Sequence, residues 1–112
     1  MIEKTLYQYL KNAGLSANVY MEQPKVKPSY FYLMEKTGAS IDNQITTSTV
    51  IIQSYAKTLA EAAAMSEEIV SVMLQAITIE EITNVSLNND YNFTDSATKQ
   101  YRYQALFTVT HY

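Results

Sequence analysis

The side chains that could carry out chemistry in this sequence are few and widely separated. The chain has one histidine, His111, and no cysteine. Acid–base catalysis by histidine near neutral pH therefore has a single candidate residue, and thiolate chemistry has none. Two acidic pairs, Glu67 with Glu68 and Glu80 with Glu81, are sequence neighbours. A helix would turn them about 100° apart, so the carboxylates of a pair cannot share a substrate. We predict that these pairs face solvent, that His111 is exposed or fills a strand end, and that no residue is catalytic.

One segment has the oxygen-rich start of a calcium-binding loop. In DYNFTDSATKQY, which begins at Asp90, oxygen-bearing side chains occupy the first, third and fifth positions. The sixth position, which needs glycine for a sharp turn, is Asp95, and the twelfth, which needs a bidentate glutamate, is Tyr101. With only Gly14 and Gly38 in the chain, a glycine-rich phosphate loop cannot form either. We therefore expect neither a metal site nor a bound cofactor.

The composition is poor in charge and rich in tyrosine. Charged residues make up 17% of the 112 residues, and the net charge is −3, whereas soluble domains average about 25% charged residues. No block of Lys or Arg is present to neutralise phosphates, so direct nucleic-acid binding is not expected. Neither a secretory signal nor a membrane-length apolar run occurs, so we expect no membrane location. Ten tyrosines beside few charges suggest a surface that another protein covers.

Helical periodicity predicts two helices. Apolar residues recur at helical spacing over residues 2–13, and Gly14 provides a left-handed helix end. Thr58 and Glu61 form a capping-box pattern at the start of a second helix that extends to about Ile77. The face expected to pack against the sheet carries Ala62, Met65, Ile69, Met73 and either Ala76 or Ile77, and the opposite face carries Glu61, Glu68 and Gln75.

Alternating and β-branched patterns predict five strands. They are Ala17 to Glu22, Ser29 to Lys36, Ile45 to Tyr55, a strand through Val85 and Leu87, and the terminal stretch of residues 98–112. The order α-β-β-β-α-β-β predicts an α+β fold, in which a mostly antiparallel sheet packs against two helices, as one domain spanning residues 1–112.

Between the second and third strands, residues 37–44 contain turn-forming side chains, which predict a long, mobile loop that either contacts a partner or faces only solvent. Tyrosines at the start of the last strand suit either a second contact or the lining of the core. The residues that we assign to interaction with other proteins are Gly38, Ser40, Ile41, Asp42 and Asn43 in the loop, and Tyr101, Arg102 and Tyr103 in the last strand.

Three stretches share a pattern with a known protein family. They are NVYMEQPKVKPSYFYLM, with a proline pair before an aromatic strand; VIIQSYAKTLAEAAAMSEEI, a strand leading into a helix; and TDSATKQYRYQALFTVTHY, where a YRY strand follows a turn and closes the chain. These stretches make up half of the sequence, and with a short first helix before them the shared pattern extends over nearly the whole chain. In these stretches the chain resembles the tail terminator, or tail-completion, proteins of long-tailed bacteriophages and prophages. The neighbouring head-closure and connector families share the same general features.

The resemblance implies a structural protein of the virion. Tail terminators form a ring, usually a hexamer, on the head-proximal end of the tail tube, stop tube growth and join the tail to the head. The implied partners are further copies of the chain, the major tail protein and a head-closure or connector protein. The implied location is the tail or neck of the virion, with assembly in the host cytoplasm, and no catalytic residue is implied.

Two alternatives remain from the residues alone. One is a small-molecule or peptide binding module with a tyrosine-lined pocket between the second helix and the sheet. The other is a small enzyme that uses a tyrosine as the acid and Arg102 as an electrostatic clamp.

Overall fold

The computed structural model describes residues 1–112, and its element order is the predicted one. The α+β fold class is confirmed. The elements are α1 (Ile2–Lys11), β1 (Asn18–Tyr20), β2 (Phe31–Asp42), β3 (Ile45–Ala56), α2 (Leu59–Leu74), a 3-10 turn (Gln75–Thr78), β4 (Ile82–Asn92) and β5 (Tyr101–His111).

The five strands form one sheet in the order β1-β2-β3-β5-β4. Neighbouring strands are antiparallel, except that β1 pairs in parallel with the first three residues of β2. Both helices pack on the same face of the sheet, where a single apolar core joins them to β2, β3, β4 and β5. The opposite face carries no helix, and we call it the open face.

The core lies between α2 and the three central strands. Ile69 and Met73 of α2 are fully buried, as are Ile52 and Phe107 on the strands that they face. The predicted inner face of α2 is confirmed, with Ala62, Met65, Ile69, Met73 and Ala76 all buried. Of the two alternatives at its end, Ala76 is buried and Ile77 is 49% exposed. No helix has the length and apolar character needed to cross a membrane.

The start of α2 has half of the predicted capping box. The Thr58 hydroxyl oxygen accepts a hydrogen bond from the Glu61 backbone N–H at 3.2 Å, as expected. The Glu61 carboxylate does not return a bond to the Thr58 backbone. It accepts instead from the hydroxyls of Thr58, at 2.8 Å, and Tyr30, at 2.7 Å. The Tyr30 bond ties the helix start to the segment that leads into β2.

The predicted loop of residues 37–44 is wrong. β2 continues to Asp42, and residues 38–42 pair with Ile45 to Thr49 of β3, with Thr37 forming a bulge. The chain reverses over two residues, Asn43 and Gln44, whose φ angles are 50° and 68°. Two positive φ angles define the hairpin turn that best follows strand twist. The turn-forming side chains of this segment therefore belong to a strand whose cross-strand pairing overrides their local preference.

Glu68 departs from the expected solvent-facing role of the acidic pairs. Its Oε1 accepts hydrogen bonds from the Ser16 backbone N–H at 3.0 Å, the Ser16 hydroxyl at 2.9 Å and the Tyr32 hydroxyl at 2.8 Å. Partial burial raises the pKa of Glu68, but the bonds from Ser16 and Tyr32 outweigh it and lower the pKa overall. Glu68 therefore links α2 to β2 and to the segment after α1.

We expect Glu68→Gln to reduce the free energy of unfolding by about 1 kcal/mol at pH 7, because charge-assisted hydrogen bonds weaken and solvent screens the remainder. A carboxyl group with a lowered pKa in the folded state stabilises above its unfolded pKa, and this contribution is lost as the pH falls through the folded value. The difference between wild type and Glu68→Gln should therefore shrink in urea titrations between pH 7 and pH 3. The control, Glu67→Gln, changes an exposed neighbour, and an equal effect there would contradict the assignment.

Candidate interaction surfaces

The two groups of predicted interaction residues lie at opposite ends of the molecule. The first group surrounds the β2–β3 turn, next to the end of β5 at His111, and the second lies where β5 begins, opposite Ala56. The 12 residues of β3 separate them, which corresponds to roughly 40 Å of strand. This separation nearly equals the 44 Å length of the protein. The structure therefore does not bring the two groups into one site.

The turn end presents exposed backbone and side chains. Gly38, Ser40 and Asp42 lie on the open face by their pairing with β3, while Ile41 lies on the helix face and is 75% exposed. Asn43 occupies the turn itself. All five residues are exposed, so each is available for contact.

The outer edge of β2 is unpaired beyond the reach of β1. β1 pairs only with residues 31–33, and no strand pairs with the outer edge of residues 35–42. The other sheet edge, β4, is interrupted by bulges at Thr83 and Asn88. Bulges disrupt the regular row of backbone groups with which an added strand would pair. At the second bulge the Asn88 side chain also turns back to the sheet and donates to the Thr108 hydroxyl at 2.6 Å. The β2 edge has one bulge, at Thr37, and its residues 38–42 pair with β3 without a further shift, so this part is the more available for pairing with another chain.

At the opposite end, the open face carries a small aromatic cluster, which we define as Tyr20, Phe31, Leu33 and Tyr55. Phe31 and Tyr55 are each 2% exposed, and their rings stack with centroids 4.3 Å apart. Tyr20 meets Phe31 edge-on at 5.9 Å. These contacts bury apolar surface on a sheet face that has no helix. The cluster gives this end of the open face a fixed shape.

Arg102 lies beside the aromatic cluster on the open face. Its guanidinium is 4.8 Å from the centre of the Phe93 ring and 5.8 Å from that of Tyr55, and its Nε donates to the Phe93 carbonyl at 2.7 Å. Aromatic faces attract such a cation and hold it in place. Tyr101 and Tyr103 point to the other face of the sheet and are half-buried. Of the predicted YRY residues, Arg102 alone lies on the open face.

A chain of hydrogen bonds crosses the open face at the same level. The Tyr55 hydroxyl donates to Gln53 at 2.7 Å, Gln53 donates to Gln104 at 2.7 Å, and Gln104 donates to the Tyr91 hydroxyl. The bonds join β3, β5 and β4. Because the amide groups are engaged with one another, they fix the surface next to Arg102 rather than present free donors.

Four lysines that the sequence did not single out lie near Arg102. Lys27 and Lys99 line one open depression of about 490 Å³ together with Tyr55 and Ala56. Lys57 directly follows Ala56, and Lys25 is two residues before Lys27. We call these four lysines and Arg102 the basic end. They come from three separate stretches of the chain, at residues 25–27, 57 and 99–102, so no single run of charge could have revealed them.

The other side chains that could take part in acid–base or metal chemistry form hydrogen bonds within the fold. His111 Nε2 lies 2.9 Å from the hydroxyl of Ser48, which is fully buried, so this pair joins β3 to the end of β5. This confirms the strand-end position of His111. Asp90 lies in β4 rather than in a loop, and its carboxylate accepts from the Ser66 hydroxyl at 2.6 Å. No cluster of His, Asp and Glu with metal-binding geometry is found.

The pocket required by the binding-module alternative is filled. The space between α2 and the sheet holds Ile69, Met73 and Phe107, all fully buried. Tyr32, which could offer a polar group there, donates its hydroxyl to Glu68. A neighbouring depression lined by Tyr30, Glu61 and Met65 is open to solvent.

No family model matches the chain, and no curated protein matches it in sequence.

Proposed function

We propose that this chain is a structural protein of bacteriophage virion assembly that acts as a tail terminator. In this role it forms a ring, a hexamer by the resemblance, at the head-proximal end of the tail tube, where it stops tube growth and joins the tail to the head. Its partners are copies of itself, the major tail protein and a head-closure or connector protein. Its location is the tail or neck of the virion, after assembly in the host cytoplasm.

The observation that carries this proposal is the separation of two exposed ends along one rigid sheet. A junction protein must contact one partner at each end, and the turn end and the basic end lie almost the full 44 Å length of the molecule apart. Three long strands, β2, β3 and β5, run between them without interruption by a loop. A sheet of this kind holds the two ends at a fixed spacing.

The unpaired outer edge of β2 supports ring formation. An edge that meets a different surface on the next subunit makes a head-to-tail contact, which closes into a ring when the rotation permits, whereas a two-fold contact stops at a dimer. Residues 38–42 of β2 offer unpaired backbone groups without proline, lysine or a bulge. We assign the subunit boundary to this edge.

Electron microscopy of the protein with assembled tail tubes tests the proposal. We expect density at one end of each tube, rings in concentrated protein, and shorter tubes when the chain is present during assembly. Free subunits can remain monomeric when dilute, because association costs translational and rotational entropy that the tube end offsets. Only monomers in concentrated protein, together with tube ends without added density, would exclude the proposed role.

A matched pair of variants tests the β2 edge. Ile41→Lys places a charge on the exposed edge residue, where lysine discourages strand pairing, so we expect ring formation to be lost. Leu74→Lys makes a comparable change at a 41% exposed position of α2, outside the edge, and should leave rings intact. Rings that form equally well with both variants would place the boundary elsewhere.

A further inference from the structure

The charges of this protein are distributed unevenly along its long axis. The basic end holds five of the eight Lys and Arg residues, with three carboxylates nearby, those of Glu22, Glu61 and Asp95. The rest of the chain holds three cations and eight carboxylates. A protein of net charge −3 therefore has one end with an excess of positive charge.

None of the five cations at the basic end is neutralised by an ion pair. The ion pair of the structure, Lys36 with Glu3 at 3.6 Å, lies elsewhere. Two of the three nearby carboxylates have donors within the fold. Asp95 accepts from the Ala97 backbone N–H at 3.1 Å, and Glu61 accepts from Tyr30 and Thr58. The cations are consequently available to a charged group from another molecule.

The surface under these cations has a fixed shape. Lys27 and Lys99 line the depression of about 490 Å³ together with one carboxylate, that of Asp95, and with Phe31 and Tyr55, whose stacked rings are almost fully buried. Arg102 is held at its side by two aromatic rings and by the Phe93 carbonyl. An acidic side chain that enters the depression would meet Lys27 and Lys99 beside two buried aromatic rings, with Arg102 held in place close by.

We propose that the basic end is a docking surface for an acidic polypeptide segment of a partner protein. Charge complementarity favours this occupant, because opposite charges steer association and select the partner. An acidic polypeptide is favoured over nucleic acid because Phe31 and Tyr55 are buried against each other and Arg102 lies over one face of Phe93, which leaves little ring surface on which bases could stack. The inference rests on the proposed function only in treating this end as a face for another protein.

Binding of a short polyglutamate peptide, followed by titration calorimetry at low and physiological salt, tests the docking surface. We expect wild type to bind, with affinity that falls as salt rises. The double variant Lys27→Glu/Lys99→Glu should weaken binding by about tenfold or more, since two attractive contacts become repulsive. The control, Lys4→Glu/Lys11→Glu, makes the same change in net charge on exposed residues of α1 and should retain the wild-type affinity.

Three outcomes would overturn the proposal. They are no binding of polyglutamate to wild type, an equal loss in both double variants, and tighter binding of single-stranded DNA of equal charge than of polyglutamate, which would indicate a nucleic-acid partner. The result is separable from the ring test. If the protein forms rings on tail tubes but does not bind polyglutamate, the docking proposal is wrong and the junction role stands. If it binds polyglutamate but forms no rings on tail tubes, the junction role is wrong and the docking proposal stands.

Discussion

We expect Ile69→Ala to reduce the free energy of unfolding by about 2 to 5 kcal/mol, as replacement of a fully buried isoleucine by alanine does. Ile69 has no exposed surface and lies in the core between α2 and the central strands. Alanine would leave a cavity that rigid strands on one side cannot collapse to fill. Because small domains are stable by about 5 to 15 kcal/mol, the change should lower the urea midpoint strongly without altering the slope of the transition.

Ile77→Ala provides the matched control for Ile69→Ala. The chemical change is the same, but Ile77 is 49% exposed and lies in the turn after α2. Its replacement should cost less than about 1 kcal/mol, since half of the side chain is already in water. Equal losses for the two variants would mean that the inner face of α2 is assigned incorrectly.

The sequence predicted the helices better than the ends of the strands. The apolar face of α2 follows from side-chain periodicity, which a helix imposes by itself, and five of its expected core positions are buried. β2 was predicted to end at Lys36 and ends at Asp42. Its extension depends on pairing with residues 45–49 of β3, which is a contact between strands and not a property of the segment alone. Gln44 at a positive φ also gave no turn signal, because glycine is the usual residue there.

The interaction surfaces were only partly predictable. Arg102 was identified from its neighbours in the YRY motif, and the structure places it at one end of the open face. Lys27, Lys57 and Lys99 carried no local signal, because the segment before β2, the end of β3 and the turn before β5 come together only in the folded sheet. Glu68 was expected to face solvent because its sequence pattern does not show that Ser16 and Tyr32 reach it. Each failure concerns a contact between distant parts of the chain.

We expect Phe31→Ala to cost about 3 to 5 kcal/mol, the range for large buried aromatic residues. Phe31 is 2% exposed, stacks on Tyr55 and meets the edge of the Tyr20 ring. The loss would therefore remove both buried apolar area and ring contacts, which contribute about 0.5 to 1.5 kcal/mol beyond the area itself. Phe31→Leu keeps much of the apolar volume, so in urea titrations it should lose less than Phe31→Ala, and the difference separates burial from stacking.

Phe93→Ala is the control for Phe31→Ala, because it makes the same change at a position on the same side of the sheet that is 40% exposed. It should cost about 1 kcal/mol, mainly through the contact with Arg102. Phe31 also lines the depression that holds Lys27 and Lys99, so Phe31→Ala should weaken polyglutamate binding even under conditions where the variant remains folded. If Phe31→Ala were no more costly than Phe93→Ala, the aromatic cluster would not be a packed second core, and the cations of the basic end would lack the fixed support that their proposed role requires.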